Sequence, residues 1–260
     1  MDEETSIIAV TNQKGGVGKT TTALNICSSL GALKQSTLLI DFDPQGNASS
    51  GCDLIEPMNE TASYDLIMHK HPIDSLIQPT GDLFDIITTK QMLTAAEVQL
   101  SQTAKREFSL KSALAKLQSP YRYIIIDCPP SLNLLTVNAL VSCHSVMIPV
   151  QCEYYALEGL TRLMRTIQQL KNSVNPNLKI EGILRTMYDS RNRLSQDVSD
   201  QLMHYFGDQL YNTVIPRNVK LAEAPSHRKV ALSYDPASSG AISYLALASE
   251  ILRKKEMIHE

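Results

Sequence analysis

The chain has 260 residues, of which 43% are hydrophobic and 20% charged, and its formal net charge at pH 7 is −3. These values are ordinary for a globular chain of one large α/β domain, and they give no electrostatic case for nucleic-acid binding by the chain as a whole. No apolar run approaches the roughly 18–20 residues of a membrane-spanning helix, and the acidic residues 1–4 are unlike a signal peptide.

Short apolar segments alternate with helical patterns along the chain. The predicted strands are 7–11, 37–41, 84–88, 123–127, 145–150, 180–186 and 211–215. The main predicted helices are 19–33, 104–117, 132–141, 156–171, 194–206 and 241–253. Several of the strands are apolar throughout, which is typical of strands covered on both faces. This order predicts one α/β domain over 1–260 with a doubly wound, mainly parallel sheet flanked by helices.

Two further features of the sequence bear on this organisation. Residues 45–82 are rich in Gly, Asn, Ser and Pro, and we expect them to be irregular and exposed. The five cysteines form no C-x-x-C pair, which favours reduced thiols in a cytosolic protein over a disulfide framework or a zinc site.

The connection between the first strand and the first helix reads V-T-N-Q-K-G-G-V-G-K-T-T-T at 10–22. A glycine-rich turn that opens a helix directs backbone N–H groups and the positive end of the helix dipole at one point, where a phosphate chain fits. In this pattern Lys19 reaches the β- and γ-phosphates and the Thr20 hydroxyl binds Mg²⁺. The predicted nucleotide-binding residues of this loop are Lys14, Gly15, Gly16, Val17, Gly18, Lys19, Thr20 and Thr21.

The loop departs from the usual G-x-x-x-x-G-K-[ST] pattern at its start. Asn12 or Gln13 stands where the first glycine belongs, and a second lysine, Lys14, lies five residues before Lys19. Two ammonium groups at one phosphate loop are more than one nucleotide needs from one chain.

Two predicted strands end in carboxylates. Asp41 and Asp43 are two residues apart, so their side chains project the same way, towards the phosphate loop if the topology brings them there. The alternative is that both aspartates only cap a turn. Asp127 ends the run Y-I-I-I-D at 123–127. A carboxylate at this position, beside the phosphate loop, can bind Mg²⁺ through the water molecules of the ion.

Four motifs together resemble the ParA/Soj/MinD family of deviant Walker-A ATPases. They are K-G-G-V-G-K-T-T-T at 14–22, L-L-I-D-F-D-P-Q-G-N at 38–47, Y-I-I-I-D-C-P-P-S at 123–131 and I-P-R-N-V-K-L-A-E-A-P-S-H at 215–227. The resemblance covers nearly the whole chain and is closest to the short, chromosomal ParA (Soj) branch. It implies a P-loop ATPase that uses ATP and Mg²⁺.

The resemblance also implies roles for individual residues. The implied catalytic residues are Lys14, Lys19, Asp43 and Asp127, with Asp43 positioning or activating the attacking water. Lys14 is implied to reach the phosphate of a partner subunit, which makes a homodimer dependent on ATP; the alternative is contact with its own nucleotide only. Pro216 and Asn218 are implied to lie against the adenine, and a structural turn is the competing interpretation.

The resemblance further implies that the protein binds double-stranded DNA without sequence specificity. Residues 151–260 carry slightly more Lys and Arg than Asp and Glu, so a local patch there is the place for DNA contacts. The candidates are Arg185, Arg191, Arg193, Arg217, Lys220 and Arg228. For any single one of them, an ordinary solvated surface position is the alternative.

The resemblance therefore favours a chromosome or plasmid partitioning ATPase that is cytoplasmic and nucleoid-associated. A ParB-like activator is implied to stimulate its hydrolysis. A MinD-like membrane ATPase that positions the division site is the alternative, although residues 251–260 look too short and too charged for a stable membrane anchor. An iron–sulfur carrier is a third class, but Cys128 lacks a matching second cysteine in a Gly-rich loop.

Overall fold

The computed structural model describes residues 5–259, and side chains for residues 5–256. Within this part of the chain seven strands form one sheet. They are β1 (Ser6–Val10), β2 (Thr37–Asp41), β3 (Gln78–Pro79), β4 (Asp85–Ile87), β5 (Tyr123–Asp127), β6 (Ser145–Gln151) and β7 (Lys179–Thr186). Their order is β3-β4-β2-β5-β1-β6-β7, and each pairs in parallel except β3, which is antiparallel to β4. The predicted doubly wound, mainly parallel sheet is confirmed.

Helices cover both faces of the sheet. They are α1 (Lys19–Ala32), α2 (Asn47–Ser50), α3 (Ala62–Ile67), α4 (Met92–Leu100), α5 (Ser109–Leu114), α6 (Leu134–Ser142), α7 (Ala156–Ser173), α8 (Arg193–Phe206), α9 (Val219–Glu223), α10 (Ala231–Tyr234) and α11 (Ser239–His259). One apolar core lies between the sheet and α3 to α8, and a second lies between the sheet and α1, α9, α10 and α11. None of the described helices combines the length and the apolar character needed to span a bilayer.

The central strands explain why the site lies where it does. Every residue of β2 and β5 is buried, because helices cover both faces and leave no solvated side. The parallel register places Asp127 beside Val10 on one side and beside Asp41 on the other. The carboxyl ends of three neighbouring strands therefore meet at one edge, where doubly wound sheets bind their ligands.

The strand predicted at 211–215 is wrong. The segment follows β7, with hydrogen bonds from Tyr211 N–H to the Ile183 carbonyl (3.0 Å) and from Ile215 N–H to the Arg185 carbonyl (2.9 Å). Two of the three N–H groups between them do not join the ladder, because the Glu250 carboxylate of α11 accepts them: Asn212 N–H at 2.8 Å and Thr213 N–H at 2.9 Å. A side chain distant in sequence, and not a carbonyl of β7, therefore accepts these two N–H groups.

Two other segments differ from expectation. Residues 45–82 contain α2, α3 and β3, and many of their side chains are buried, so the expectation of an irregular, exposed stretch is wrong. The helix expected at 104–117 is shortened, because Lys105 adopts a positive φ of 57° and a 3₁₀ turn at Arg106–Phe108 precedes α5. The helix α4 was not predicted.

Candidate functional site

The connection between β1 and α1 forms an open cradle at the carboxyl edge of the sheet. Gly16 (φ 74°) and Gly18 (φ 86°) adopt left-handed conformations that side chains rarely take, and Gly18 immediately precedes α1. A Cβ built at Gly15 or Gly16 would have no heavy atom within 4 Å. The loop therefore leaves space in front of the helix N-terminus, where backbone N–H groups favour an anion.

The cradle is held from behind by two side chains that the motif did not single out as functional. Asn12 donates from Nδ2 to the carbonyl of Pro149 (2.8 Å), and its Oδ1 accepts the N–H of Lys14 (3.0 Å). The Thr186 hydroxyl at the end of β7 donates to the carbonyl of Val17 (2.8 Å). Counted back from Gly18 and Lys19, the first glycine of the usual pattern falls on Gln13, so the motif marked neither Asn12 nor Thr186.

The two lysines of the loop lie in different environments. Lys19 is 7% exposed, and its Nζ donates to the carbonyl of Lys14 across the loop (3.1 Å). Burial lowers the pKa of Lys19, and the carboxylates of Asp127 and then Asp43 oppose that effect. This ammonium is placed inside the cradle, within the field of the carboxylates.

Lys14 is exposed and lies outside the cradle. Its ammonium forms an ion pair with Glu153, just after β6, and about half of each side chain remains accessible to solvent. Exposed ion pairs of this kind contribute only about 0.2–1 kcal/mol, so Lys14 can exchange Glu153 for another anion at little cost. Glu153 was not identified from the sequence, because only the fold brings it next to the loop.

Three carboxylates lie at this edge of the sheet, and two of them, Asp127 and Asp43, act on the Lys19 ammonium. Asp41 and Asp127 are fully buried side by side, and Asp43 is 6% exposed. Burial, and next the carboxylate of Asp41, raise the pKa of Asp127 well above its ordinary value, while the nearby Thr20 hydroxyl works against the rise. Burial also raises the pKa of Asp41, and hydrogen bonds from Ser49 oppose that effect.

The donor set fits a hydrated divalent cation beside a triphosphate. Neither carboxylate oxygen of Asp127 has a hydrogen-bond partner, although both are buried. Such an orphaned group is costly unless a cation or bound water completes it. Carboxylate and hydroxyl oxygens are the ligands that Mg²⁺ prefers, and Asp127 and Thr20 supply them next to the N-terminus of α1.

Asp41 and Asp43 also make the turn-capping hydrogen bonds that the alternative interpretation expects. Asp43 accepts the N–H of Gln45 on Oδ1 (3.0 Å), and Asp41 accepts the N–H of Asp43 on Oδ1 (3.3 Å). These bonds shape the loop of residues 43–49, hereafter the 43–49 loop, and they leave the Asp43 carboxylate at the edge of the cradle.

The residues expected at an adenine lie at the same edge. Asn218 caps α9, because its Oδ1 accepts the N–H groups of Lys220 (2.8 Å) and Leu221 (3.2 Å), and its Nδ2 donates to Ser239 Oγ (2.7 Å). The structural-turn interpretation is therefore present, and one N–H of Nδ2 remains for a ligand. Pro216 is bridged to Tyr188 after the end of β7.

A cleft of about 370 Å³ opens between the first turns of α1 and the α9 region. Thr20, Thr21 and Asn25 contribute polar groups to its wall, and Leu221 and Pro225 contribute apolar surface. This mixture suits a nucleoside next to the phosphate cradle, since ligand pockets combine an apolar wall with a few polar groups.

The basic candidates do not form a uniform set. Arg191, Arg193, Arg217 and Arg228 are exposed, and Lys220 is partly exposed and paired with Glu223. The prediction that Arg185 contacts DNA is wrong, because only 8% of this residue is exposed and its guanidinium points inward. It donates to Ser199 Oγ (2.9 Å) and to the carbonyls of Tyr211 (3.0 Å) and Asn212 (3.3 Å). A buried guanidinium with these bonds is not available to DNA.

We expect Arg185→Met to lower the thermal stability of the chain. Loss of hydrogen bonds from a buried guanidinium to Ser199 and the 211–212 backbone should cost about 1–3 kcal/mol, or roughly 2–10 °C in thermal midpoint for a chain of this size. Calorimetry measures this change, and Arg191→Met is the matched exposed control, with a midpoint close to that of the unaltered chain. An unchanged midpoint would contradict a stabilising role for the buried guanidinium.

Comparison with known proteins gives a consistent result. A model of an AAA domain matches residues 5–180. The chain is 46% identical to the chromosome partitioning protein ParA of Caulobacter vibrioides, over 96% of this chain and 94% of that protein. It is 49% identical to the sporulation initiation inhibitor protein Soj of Bacillus subtilis, over 94% and 97%. Cobyrinic acid a,c-diamide synthase from Mycobacterium smegmatis, solved with an ATP analogue and magnesium, is 35% identical with a TM-score of 0.82, covering 97% and 96%.

Proposed function

The chain belongs to the ParA/Soj family of chromosome-partitioning ATPases, and from this premise we propose that it is an ATP-controlled DNA-partitioning switch. It hydrolyses ATP with Mg²⁺ as its cofactor. In the proposal, ATP joins two copies of the chain, the dimer binds double-stranded DNA without sequence preference, and hydrolysis releases it. The observation that carries the proposal is the separation of the two loop lysines, with Lys19 inside the cradle and Lys14 outside it.

The proposed roles follow from what phosphoryl transfer needs, which is mainly positioning and neutralisation of charge. Bound MgATP supplies the γ-phosphoryl group that is transferred to water. Lys19 neutralises charge on the phosphates, because its buried ammonium reaches across the loop. Thr20 and Asp127 hold the cation and its water, and Asp43 orients the attacking water at the cradle's edge.

The proposed dimer depends on Lys14. The ammonium makes no contact with its own cradle, and its half-exposed ion pair with Glu153 is weak enough to exchange. A triphosphate of a second copy carries more negative charge than one carboxylate, so it competes well for the same lysine. ATP thereby becomes part of the contact between the two copies, and each site is complete only when both are present.

The proposed DNA contacts are made to phosphates. Arg191 donates from Nε and from Nη2 to the two carboxylate oxygens of Asp189, each at 3.0 Å, yet 88% of the Arg191 side chain is exposed. Such a pair exchanges readily for a phosphate oxygen, and contacts of this kind carry no sequence information. The proposed set, without the buried Arg185, is Arg191, Arg193, Arg217, Lys220 and Arg228.

Three further parts of the proposal concern regulation and organisation. Hydrolysis is slow in the single chain, because the site lacks the partner's lysine, and a ParB-like protein stimulates it. The dimer is associated with the nucleoid through its DNA contacts. Residues 1–260 act as one ATPase domain, since α1 and α11 are tied by the hydroxyls of Thr22 and Tyr244 (3.1 Å) from opposite ends of the chain.

The double variant Arg191→Glu with Arg193→Glu tests the DNA step. We expect ATP-dependent retention on generic double-stranded DNA to fall by at least about tenfold at 50–100 mM salt, with a shallower salt dependence, because phosphate contacts dominate nonspecific binding. Filter binding at several salt concentrations measures both. Lys111→Glu with Lys116→Glu is the matched control, because these exposed lysines lie on and after α5, before β5 begins at the opposite edge. Unchanged retention in the first variant would contradict the proposed contact.

A further inference from the structure

A buried serine outside the phosphate loop ties together the ends of two strands. Ser49 lies in α2 and is fully buried. Its Oγ donates to Oδ2 of Asp41 (2.6 Å) and accepts the N–H of Thr89 (2.8 Å), and its own N–H donates to the same Asp41 oxygen (2.7 Å). One hydroxyl therefore connects the end of β2 to the segment that follows β4.

Neighbouring contacts hold the same region against the same strand ends. The Ser63 hydroxyl donates to the carbonyl of Asp41 (2.7 Å), and the Ser63 N–H donates to the carbonyl of Thr88 (2.9 Å). Gly46 has a φ of 64°, and a Cβ there would lie 2.7 Å from the carbonyl oxygen of Thr89. The loop thus approaches the Thr89 backbone too closely to accommodate a side chain.

The Asp41 carboxylate holds both ends of the 43–49 loop. Its Oδ1 accepts the N–H of Asp43 at the start of the loop (3.3 Å), and its Oδ2 accepts both bonds from Ser49 at the end. The Ser49 hydroxyl is the one group of the three donors that also reaches the β4 side, through Thr89. Removing it would leave a buried carboxylate with one bond fewer and the Thr89 N–H without its acceptor.

We propose that Ser49 is a positioning residue for Asp43. By closing the loop on Asp41 and fixing it to Thr89, Ser49 sets where the Asp43 carboxylate lies relative to the phosphate cradle. The inference rests on the proposed role of Asp43 in orienting water. Ser49 acts only through the loop, and a displacement of about 1 Å in a water-orienting group is enough to cost about a hundredfold in rate.

The test compares Ser49→Ala and Ser49→Cys with the unaltered chain. Ser49→Cys places a somewhat larger thiol at the same position and loses the strong hydrogen bonds without leaving a cavity, so it carries the test if Ser49→Ala does not fold. We expect kcat to fall about tenfold to a hundredfold with KM for ATP changed less than threefold, while ATP-dependent dimers still form and accumulate on DNA. Ser142→Ala is the matched control, because its buried hydroxyl bonds only a carbonyl of its own helix (3.0 Å).

The outcomes separate this inference from the proposed function. Turnover within twofold of the unaltered chain in a folded Ser49 variant overturns the inference, as does loss of dimer formation together with hydrolysis, which would indicate a structural role only. Asp43→Ala is run in parallel. Normal turnover of that variant would defeat the proposed role of Asp43, whereas a trapped Asp43→Ala dimer beside a normally active Ser49 variant would defeat this inference alone.

Discussion

Lys14→Gln is expected to bind ATP as a monomer and to lose nearly all hydrolysis. The glutamine keeps most of the side-chain length and removes the charge that is proposed to neutralise the partner's triphosphate. A cation supplied in trans to a phosphoryl-transfer site is worth about 10³–10⁵ in rate, and we expect a loss of at least about a thousandfold. Light scattering after size exclusion, with and without ATP, measures assembly, and phosphate release measures turnover.

The design separates the two loop lysines. Nucleotide affinity should change little in Lys14→Gln, because the Lys14 ammonium pairs with Glu153 and the backbone contacts of Lys14 within the loop are kept, whereas Lys19→Gln should lose ATP binding itself. Lys111→Gln, an exposed lysine on α5, is the control for removal of a surface charge. An ATP-dependent dimer of Lys14→Gln with normal turnover would rule out the proposed exchange between copies.

Asp43→Ala is expected to trap the ATP-bound dimer on DNA. Without a carboxylate at the edge of the cradle the attacking water loses its orienting group, and such groups contribute about 10²–10⁴ in rate. Binding of ATP should persist, because Lys19 and the loop backbone are untouched. Single-turnover hydrolysis and the lifetime of the DNA complex measure the two effects.

A matched variant removes a carboxylate elsewhere. Asp208→Ala changes an exposed aspartate in the turn after α8 and should hydrolyse ATP at the rate of the unaltered chain. If Asp43→Ala left DNA as quickly as the unaltered chain while hydrolysing ATP normally, the water-orienting role would be wrong.

Local patterns predicted the parts of the molecule that local chemistry determines. The strand at Tyr123–Asp127 is observed with the predicted limits, and Lys19 opens α1 as its motif required. Both segments are specified by neighbours in sequence, namely an unbroken apolar run and a glycine turn before a helix. The residues that act by local backbone conformation were therefore visible in the chain itself.

Three of the failures share a different cause, which is a partner distant in sequence. Residues 211–215 read as a strand, but the Glu250 carboxylate, more than thirty positions away, takes two of their N–H groups. Arg185 read as a surface cation, but Ser199 and the 211–212 carbonyls draw it inward. Glu153 gave no sequence signal at all. Single-sequence patterns do not report which distant groups the fold will bring together.

The contact between Lys14 and Glu153 has a consequence for the proposed assembly. A two-fold dimer opens this ion pair in both copies during one association step, so its free energy enters the association constant twice. At about 0.2–1 kcal/mol for each exposed pair, the two pairs together weaken the proposed association by about 0.4–2 kcal/mol, so Glu153 raises the protein concentration needed for pairing by roughly twofold to thirtyfold. This surface carboxylate thereby makes the proposed pairing depend more steeply on the local abundance of the chain.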